Sequence, residues 1–114
     1  MIEDNLEAEQ AVFGVRSIPE RQQIILYELG MVTRSLLHGA SSTSILEQRA
    51  ELANAMVELS DVVLQLAMLH DQMLVEGLRL EVKYLPAWDE LIEDGAERQL
   101  ERMKEWEKRR NTQW

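Results

Sequence analysis

Glu58 and Asp61 are the residues of this chain best placed, by type and spacing, to do chemistry. Three residues apart in a helix, two carboxylates leave one face, and hard oxygen donors converging there suit a divalent cation. Glu51 lies two turns earlier on the same side, and Glu28 is a carboxylate at the border of an earlier apolar stripe. Residues 50–78 hold Glu51, Glu58, Asp61, Asp71 and Glu76 but no Lys or Arg. A carboxylate among apolar neighbours costs on the order of several kcal/mol unless it is neutralised. Protonation, an Arg or Lys from elsewhere, or a metal ion would do so. The plain alternative is a solvated acidic face, with Glu28 as surface decoration.

These carboxylates must be positioned by helices. At about 100° per residue, Glu47, Glu51, Asn54, Glu58, Asp61, Gln65 and Gln72 fall on one narrow stripe. The rest of that segment is largely apolar, from Leu52 and Met56 to Leu66 and Leu69. A helix apolar on most sides must be buried on most sides. One small chain has too few elements to surround it, so we expect a homo-oligomer, a dimer or a tetramer. On the preceding helix Ile25, Leu29, Val32 and Leu36, spaced 4, 3 and 4, form the expected core stripe. Antiparallel packing of the two helices would bring Glu28 towards Glu58 and Asp61.

Local signals set the boundaries. Residues 4–13 read as a short helix ending at Gly14. Ser17 and Glu20 fit a capping box, with Pro19 tolerated in the first turn. That helix is expected to run to about His38, with Gly39 as its stop and residues 40–43 as a loop. Ser44 and Glu47 form a second box, opening a long helix expected to end at Gly77. Residues 78–85 read as a connector. Pro86 suits the start of another helix, interrupted near Gly95, and residues 96–110 as a charged helix. The fold class is therefore all-α: an antiparallel helical bundle completed by oligomerisation. It is read as a single domain over 1–114, with residues 1–16 as an N-terminal arm or short helix and 18–110 as the core.

Bulk properties narrow the function. Among 114 residues there is no cysteine, which excludes disulfides, zinc–thiolate sites and cysteine nucleophiles. A net charge of -9 argues against a nucleic-acid partner, which demands clustered Lys and Arg. An acidic protein still binds nucleotides where metal cations bridge carboxylates to phosphates. No apolar run looks long enough to span a membrane, and Met1-Ile2-Glu3-Asp4 is unlike a signal peptide. The expectation is a cytoplasmic protein without a membrane partner.

Glu58-Leu59-Ser60-Asp61-Val62-Val63 resembles the E-L-A-D-V-L signature of MazG-like nucleoside triphosphate pyrophosphohydrolases. Tyr27-Glu28-Leu29-Gly30-Met31-Val32 resembles the E-E-x-G-E-hydrophobic helix of that family. The resemblance covers residues 18–110. It departs from the family at Met31, where the second glutamate would stand, and at Tyr27, where an acid would precede Glu28. The resemblance implies hydrolysis of a nucleoside triphosphate to the monophosphate and pyrophosphate, with Mg2+ or Mn2+ as cofactor. Glu28, Glu58 and Asp61 would be the metal ligands. Glu51 would be the catalytic base, a further ligand, or an acceptor orienting a ligand. Arg34, Lys83 and Lys104 are the candidate phosphate contacts, and Trp88 could stack on a base. The alternative is a non-catalytic helical oligomer of the same fold that binds nucleotide or a protein partner.

Other residues carry weaker signals. Neither His38 nor His70 ends the Glu-x-x-His triplet of ferritin-like di-iron bundles, so both read as structural or exposed. Trp88 is as well explained by packing against its own core, and the methionines read as gap fillers. Trp106 and Trp114 stand in the charged tail as candidate interface anchors.

Overall fold

A computed structural model describes residues 2–112. It contains four helices and, among the described residues, no strand: α1 (Ile2–Phe13), α2 (Ile18–Ser41), α3 (Ile45–Arg79) and α4 (Trp88–Thr112). The chain divides into two compact units, Met1–Arg79 and Leu80–Trp114. Trp114 lies outside the described residues.

Short-range chemistry places most helix ends. Gly14 takes a left-handed φ of 78°, and its N–H donates to Gln10 O at 3.0 Å, closing α1. The Ser17–Glu20 box is formed in both directions: Glu20 N donates to Ser17 Oγ at 3.2 Å, and Ser17 N to Glu20 Oε1 at 3.4 Å. The second box forms differently. Glu47 N donates to Ser44 Oγ at 3.4 Å, but the Glu47 carboxylate accepts from the Ser42 hydroxyl instead of the Ser44 backbone. Ser42 also accepts from Ser44 N at 3.1 Å and Gln48 Nε2 at 2.8 Å, so this serine organises the turn between α2 and α3.

Three expected glycine breaks do not occur. α2 passes Gly39 and stops at Ser41, α3 passes Gly77, and α4 is continuous through Gly95. A mid-helix glycine costs only about 1 kcal/mol relative to alanine, which packing can outweigh. At Gly39 the reason is visible. A Cβ there would stand 3.3 Å from Glu51 Cβ, so the glycine lets α2 and α3 approach closely.

In the first unit, α2 and α3 pack along their lengths and α1 touches α3. The buried apolar residues are Val32, Ala55, Val62, Ala67 and Met68. The expected core stripe of α2 is turned by one position: Leu29 and Leu36 are 46% and 49% exposed. α3 is likewise not enclosed, with Leu52, Met56, Val57 and Val63 between 48% and 63% exposed. One neighbouring helix covers one side of α3, as its all-round apolar sequence anticipated for a lone chain. The expectation that nothing reaches membrane-spanning length is corrected by α3. An 18-residue window there, of mean hydropathy 1.4, is long and apolar enough to cross a bilayer by length and composition alone.

Candidate functional site

The face of α2 turned to α3 is Arg21, Ile25, Glu28, Val32, Ser35 and Gly39, spaced 4, 3, 4, 3 and 4. Arg21, Val32 and Ser35 are buried, while Ile25, Glu28 and Gly39 are half-buried. The answering face of α3 is Glu51, Ala55, Glu58, Val62, Gln65, Leu69 and Gln72, in the same heptad spacing. Ala55, Glu58 and Val62 are buried there and the other four half-buried. Of the polar stripe predicted from sequence, Glu51, Glu58, Gln65 and Gln72 point into the seam between the helices, while Glu47, Asn54 and Asp61 are exposed along its side. The stripe is part seam and part solvated face, and not a carboxylate cluster.

Two contacts fix the register. Ser35 Oγ donates to Glu58 Oε1, and Arg21 Nε donates to Gln72 Oε1 at 2.6 Å. One heptad inward from either pair sets Glu28 opposite Gln65. Polar layers thus recur every seven residues (Arg21 with Gln72, Glu28 with Gln65, Ser35 with Glu58). Apolar layers containing Ile25 and Leu69, then Val32 and Val62, separate them.

The Ser35–Glu58 layer is the candidate site. Glu58 is only 8% exposed. Its Oε1 accepts from Ser35 and from Asn54 Nδ2 at 2.7 Å, and the same Asn54 amide donates to Ser35 Oγ at 3.0 Å. The second carboxylate oxygen, Oε2, is buried without a hydrogen-bond partner. A buried carboxylate oxygen with no donor is an unsatisfied acceptor that a proton, a water or a cation would complete. Asp61, one turn on, is exposed at the edge of the seam. Beside this layer a surface hollow is lined by Ser35, Leu36, Gly39, Gln48 and Leu52.

The other carboxylates are spread along the seam. Glu28 and Glu51 each stand one heptad from the Ser35–Glu58 layer, on opposite sides. Seven residues of helix rise about 10 Å, beyond the reach of one cation's ligand shell. Among the described residues no group of three or more His, Cys, Asp or Glu side chains is placed to hold a metal ion. Glu58 is buried in the seam while Asp61, one turn on, is exposed between the Glu58 and Glu28 levels, and Glu51 sits against Gly39. Met31 is half-buried one turn from Glu28, and Arg34 is exposed beside Ser35. Lys83, Trp88 and Lys104 belong to the other unit, where the lysines are exposed and Trp88 is half-buried. His38 is exposed and His70 half-buried.

The chain matches no protein-family model, no curated protein and no solved structure. The site therefore rests on its own geometry.

At the far end of the seam two glutamines of the stripe and Glu9 of α1 meet a cation. Arg21 is 1% exposed. Its NH1 donates to Glu9 Oε2 at 2.9 Å and Gln65 Oε1 at 2.8 Å, and its NH2 pairs with Glu9 Oε1. Gln72 in turn donates to Arg16 O at 2.7 Å. Glu9 is the anchor of α1, a helix with no buried residue of its own. Sequence reading missed this group and also the Ser35–Asn54 pair. The available signal was that Arg21 and Ser35 share the heptad face of Val32, where a polar residue must find a partner across the seam.

Proposed function

We propose that this chain is a metal-dependent nucleotide pyrophosphohydrolase of the MazG-like kind, built as an antiparallel helical bundle that a second copy completes. The observation that carries the reading is the buried, unpartnered Oε2 of Glu58 one turn from Asp61. An orphaned hard oxygen with a second carboxylate one helical turn away fits a small divalent cation such as Mg2+ or Mn2+. Glu58 and Asp61 would hold it, with Glu28 the next carboxylate along the seam. When bound, the ion would neutralise phosphate charge and lower the pKa of a water molecule.

The chain's own residues supply orientation. Ser35 and Asn54 hold the Glu58 carboxylate by its other oxygen, which leaves Oε2 as the free donor. Arg21 is committed to Glu9, Gln65 and Gln72, so phosphate contact falls to Arg34, on the outer side of α2 next to Ser35. The hollow walled by Leu36 and Leu52, with Ser35 and Gln48 as its polar groups, suits a nucleoside. Exposed leucines and valines on α2 and α3 are the surfaces a second copy would cover. Exposed apolar area of that extent marks an interaction face.

A non-catalytic binding role is the second reading, and it is favoured by the heptad that separates Glu28 from Glu58. Calorimetric titration with MgCl2 and MnCl2, together with pyrophosphate release from a panel of nucleoside triphosphates, tests both. Metal binding lost in Glu58→Gln, with pyrophosphate formed by the wild type, supports the enzyme. Nucleotide binding without pyrophosphate leaves the second reading, and no metal binding overturns the site. Light scattering without detergent tests the assembly: a mass matching the 13.3 kDa monomer would refute it.

A further inference from the structure

α4 carries a pattern that the metal site does not use. Along it Trp88, Ile92, Gly95, Gln99, Met103, Trp106 and Arg110 are spaced 4, 3, 4, 4, 3 and 4. That is an 11-residue repeat, 88 to 99 to 110. Its 3.67-residue period keeps the stripe nearly parallel to the axis of a straight helix. The spacing also reads the same from either end.

We propose that α4 pairs antiparallel with α4 of a second copy of this chain, on a two-fold axis through Gln99. In that register each stripe residue meets another stripe residue. Ile92 lies opposite the partner copy's Trp106, Gly95 opposite its Met103, Trp88 opposite its Arg110, and Gln99 opposite itself. No α4 residue is buried in the single chain, and Ile92, Met103 and Trp106 are 55%, 56% and 63% exposed.

Three further features fit this occupant. First, glycine inside a helix is unfavourable, and nothing lies within 4 Å of where a Gly95 Cβ would be. The single chain gives that glycine no purpose, whereas facing Met103 it forms the dip that receives a long side chain. Second, charge is divided along the helix. Residues 88–99 carry Asp89, Glu90, Glu93, Asp94 and Glu97 against one cation, Arg98. Residues 100–112 carry Arg102, Lys104, Lys108, Arg109 and Arg110 against Glu101, Glu105 and Glu107. Antiparallel pairing lays the acidic half along the basic half, and parallel pairing would set like on like. Third, the end layers place an arginine against an indole, a favourable cation–π arrangement. A surface hollow bordered by Met103, Trp106 and Arg110 lies along the stretch that would receive the partner copy's Trp88 and Ile92.

The pairing rests on α4 alone, so it stands or falls separately from the metal site. The chain has no cysteine, so single cysteines introduced into the full chain report position without background. Gln99→Cys should cross-link to itself with a short bismaleimide at low micromolar protein, at least about tenfold faster than Glu101→Cys on the opposite face. A mixture of Ile92→Cys and isotope-labelled Trp106→Cys should give the mixed dimer in preference to either homodimer, read by mass spectrometry. Gly95→Cys with Met103→Cys reports the next layer and keeps Trp106. Equal rates for Gln99→Cys and Glu101→Cys, or self-linking of Ile92→Cys as fast as its link to Trp106→Cys, would overturn the pairing.

Discussion

Replacing Glu58 by glutamine separates a cation site from ordinary packing, because the two give opposite signs with and without metal. In the structure Oε1 already accepts from Ser35 and Asn54, and Oε2 is buried and unpartnered. Glutamine keeps the volume and both of those bonds, while removing a charge from a residue 8% exposed. An unsatisfied buried group costs about 1–3 kcal/mol, more when charged. Part of the gain is lost because hydrogen bonds to a neutral acceptor are weaker. The net expectation in EDTA is that Glu58→Gln is the more stable protein, by about 1 kcal/mol. With magnesium at a hundred times its dissociation constant, the wild type gains about 2.7 kcal/mol and the variant gains little. The order of stability should therefore cross between the two conditions. Urea unfolding followed by circular dichroism measures this, at one protein concentration so that association does not enter. If magnesium stabilised both proteins equally, or glutamine were the weaker in both buffers, Glu58 would be a structural carboxylate and the reasoning wrong.

Further expectations follow from the same seam and from the second unit. Met31→Glu adds a carboxylate between the Glu28 and Ser35 levels of α2, closer to the Glu58–Asp61 turn than Glu28 is, so it should tighten Mg2+ binding in calorimetry and raise any pyrophosphate release. In EDTA the same protein should melt lower, because the new charge is half-buried. Arg21→Met takes from Glu9 its hydrogen-bonded cation, leaving the longer pairing with Arg16 Nε at 3.6 Å, and leaves two glutamines without their donor. Breaking such a buried pair costs about 3–5 kcal/mol, and limited proteolysis should cut α1 away first. Pairing Arg21→Met with Glu9→Gln should return part of that loss. Tyr84 donates to Asp94 Oδ2, and that bond, with the nearby Asp94 and Glu90 charges, holds the phenol above its ordinary pKa. A folded value above the unfolded one means the contact contributes below the ordinary tyrosine range and is lost as pH rises through the raised pKa. In a Tyr27→Phe background, ultraviolet titration should show a late tyrosinate that Asp94→Asn moves to lower pH.

Much of the helical framework was legible along the chain because its signals are local. Gly14 closes α1 through its own left-handed φ, and Ser17 with Glu20 opens α2 through bonds three residues apart. Neither depends on a distant partner. The polar stripe from Glu51 to Gln72 and the apolar surroundings of α3 were likewise set by residue order and the helical period. So was the expectation that one chain leaves α3 uncovered, which the exposure of Leu52, Met56 and Val57 bears out.

The tertiary structure decided which way those faces point. Sequence period alone prefers Ile25, Leu29, Val32 and Leu36 as the core of α2, since four apolar residues outrank a mixed stripe. Pairing with α3 rotates the choice by one position, because Arg21 and Ser35 find partners in Gln65, Gln72 and Glu58 while Gly39 allows close approach. That rotation draws Glu28 into the seam and fixes it one heptad from Glu58. A spacing pattern lists which carboxylates share a face. The axial offset between two helices is set by contacts distant in sequence, such as the 51 residues separating Arg21 from Gln72. Glycine carried the same ambiguity: its permissive backbone suits a helix end, and its missing side chain equally suits the middle of a packed one. Only a neighbour such as Glu51 beside Gly39 selects between the two.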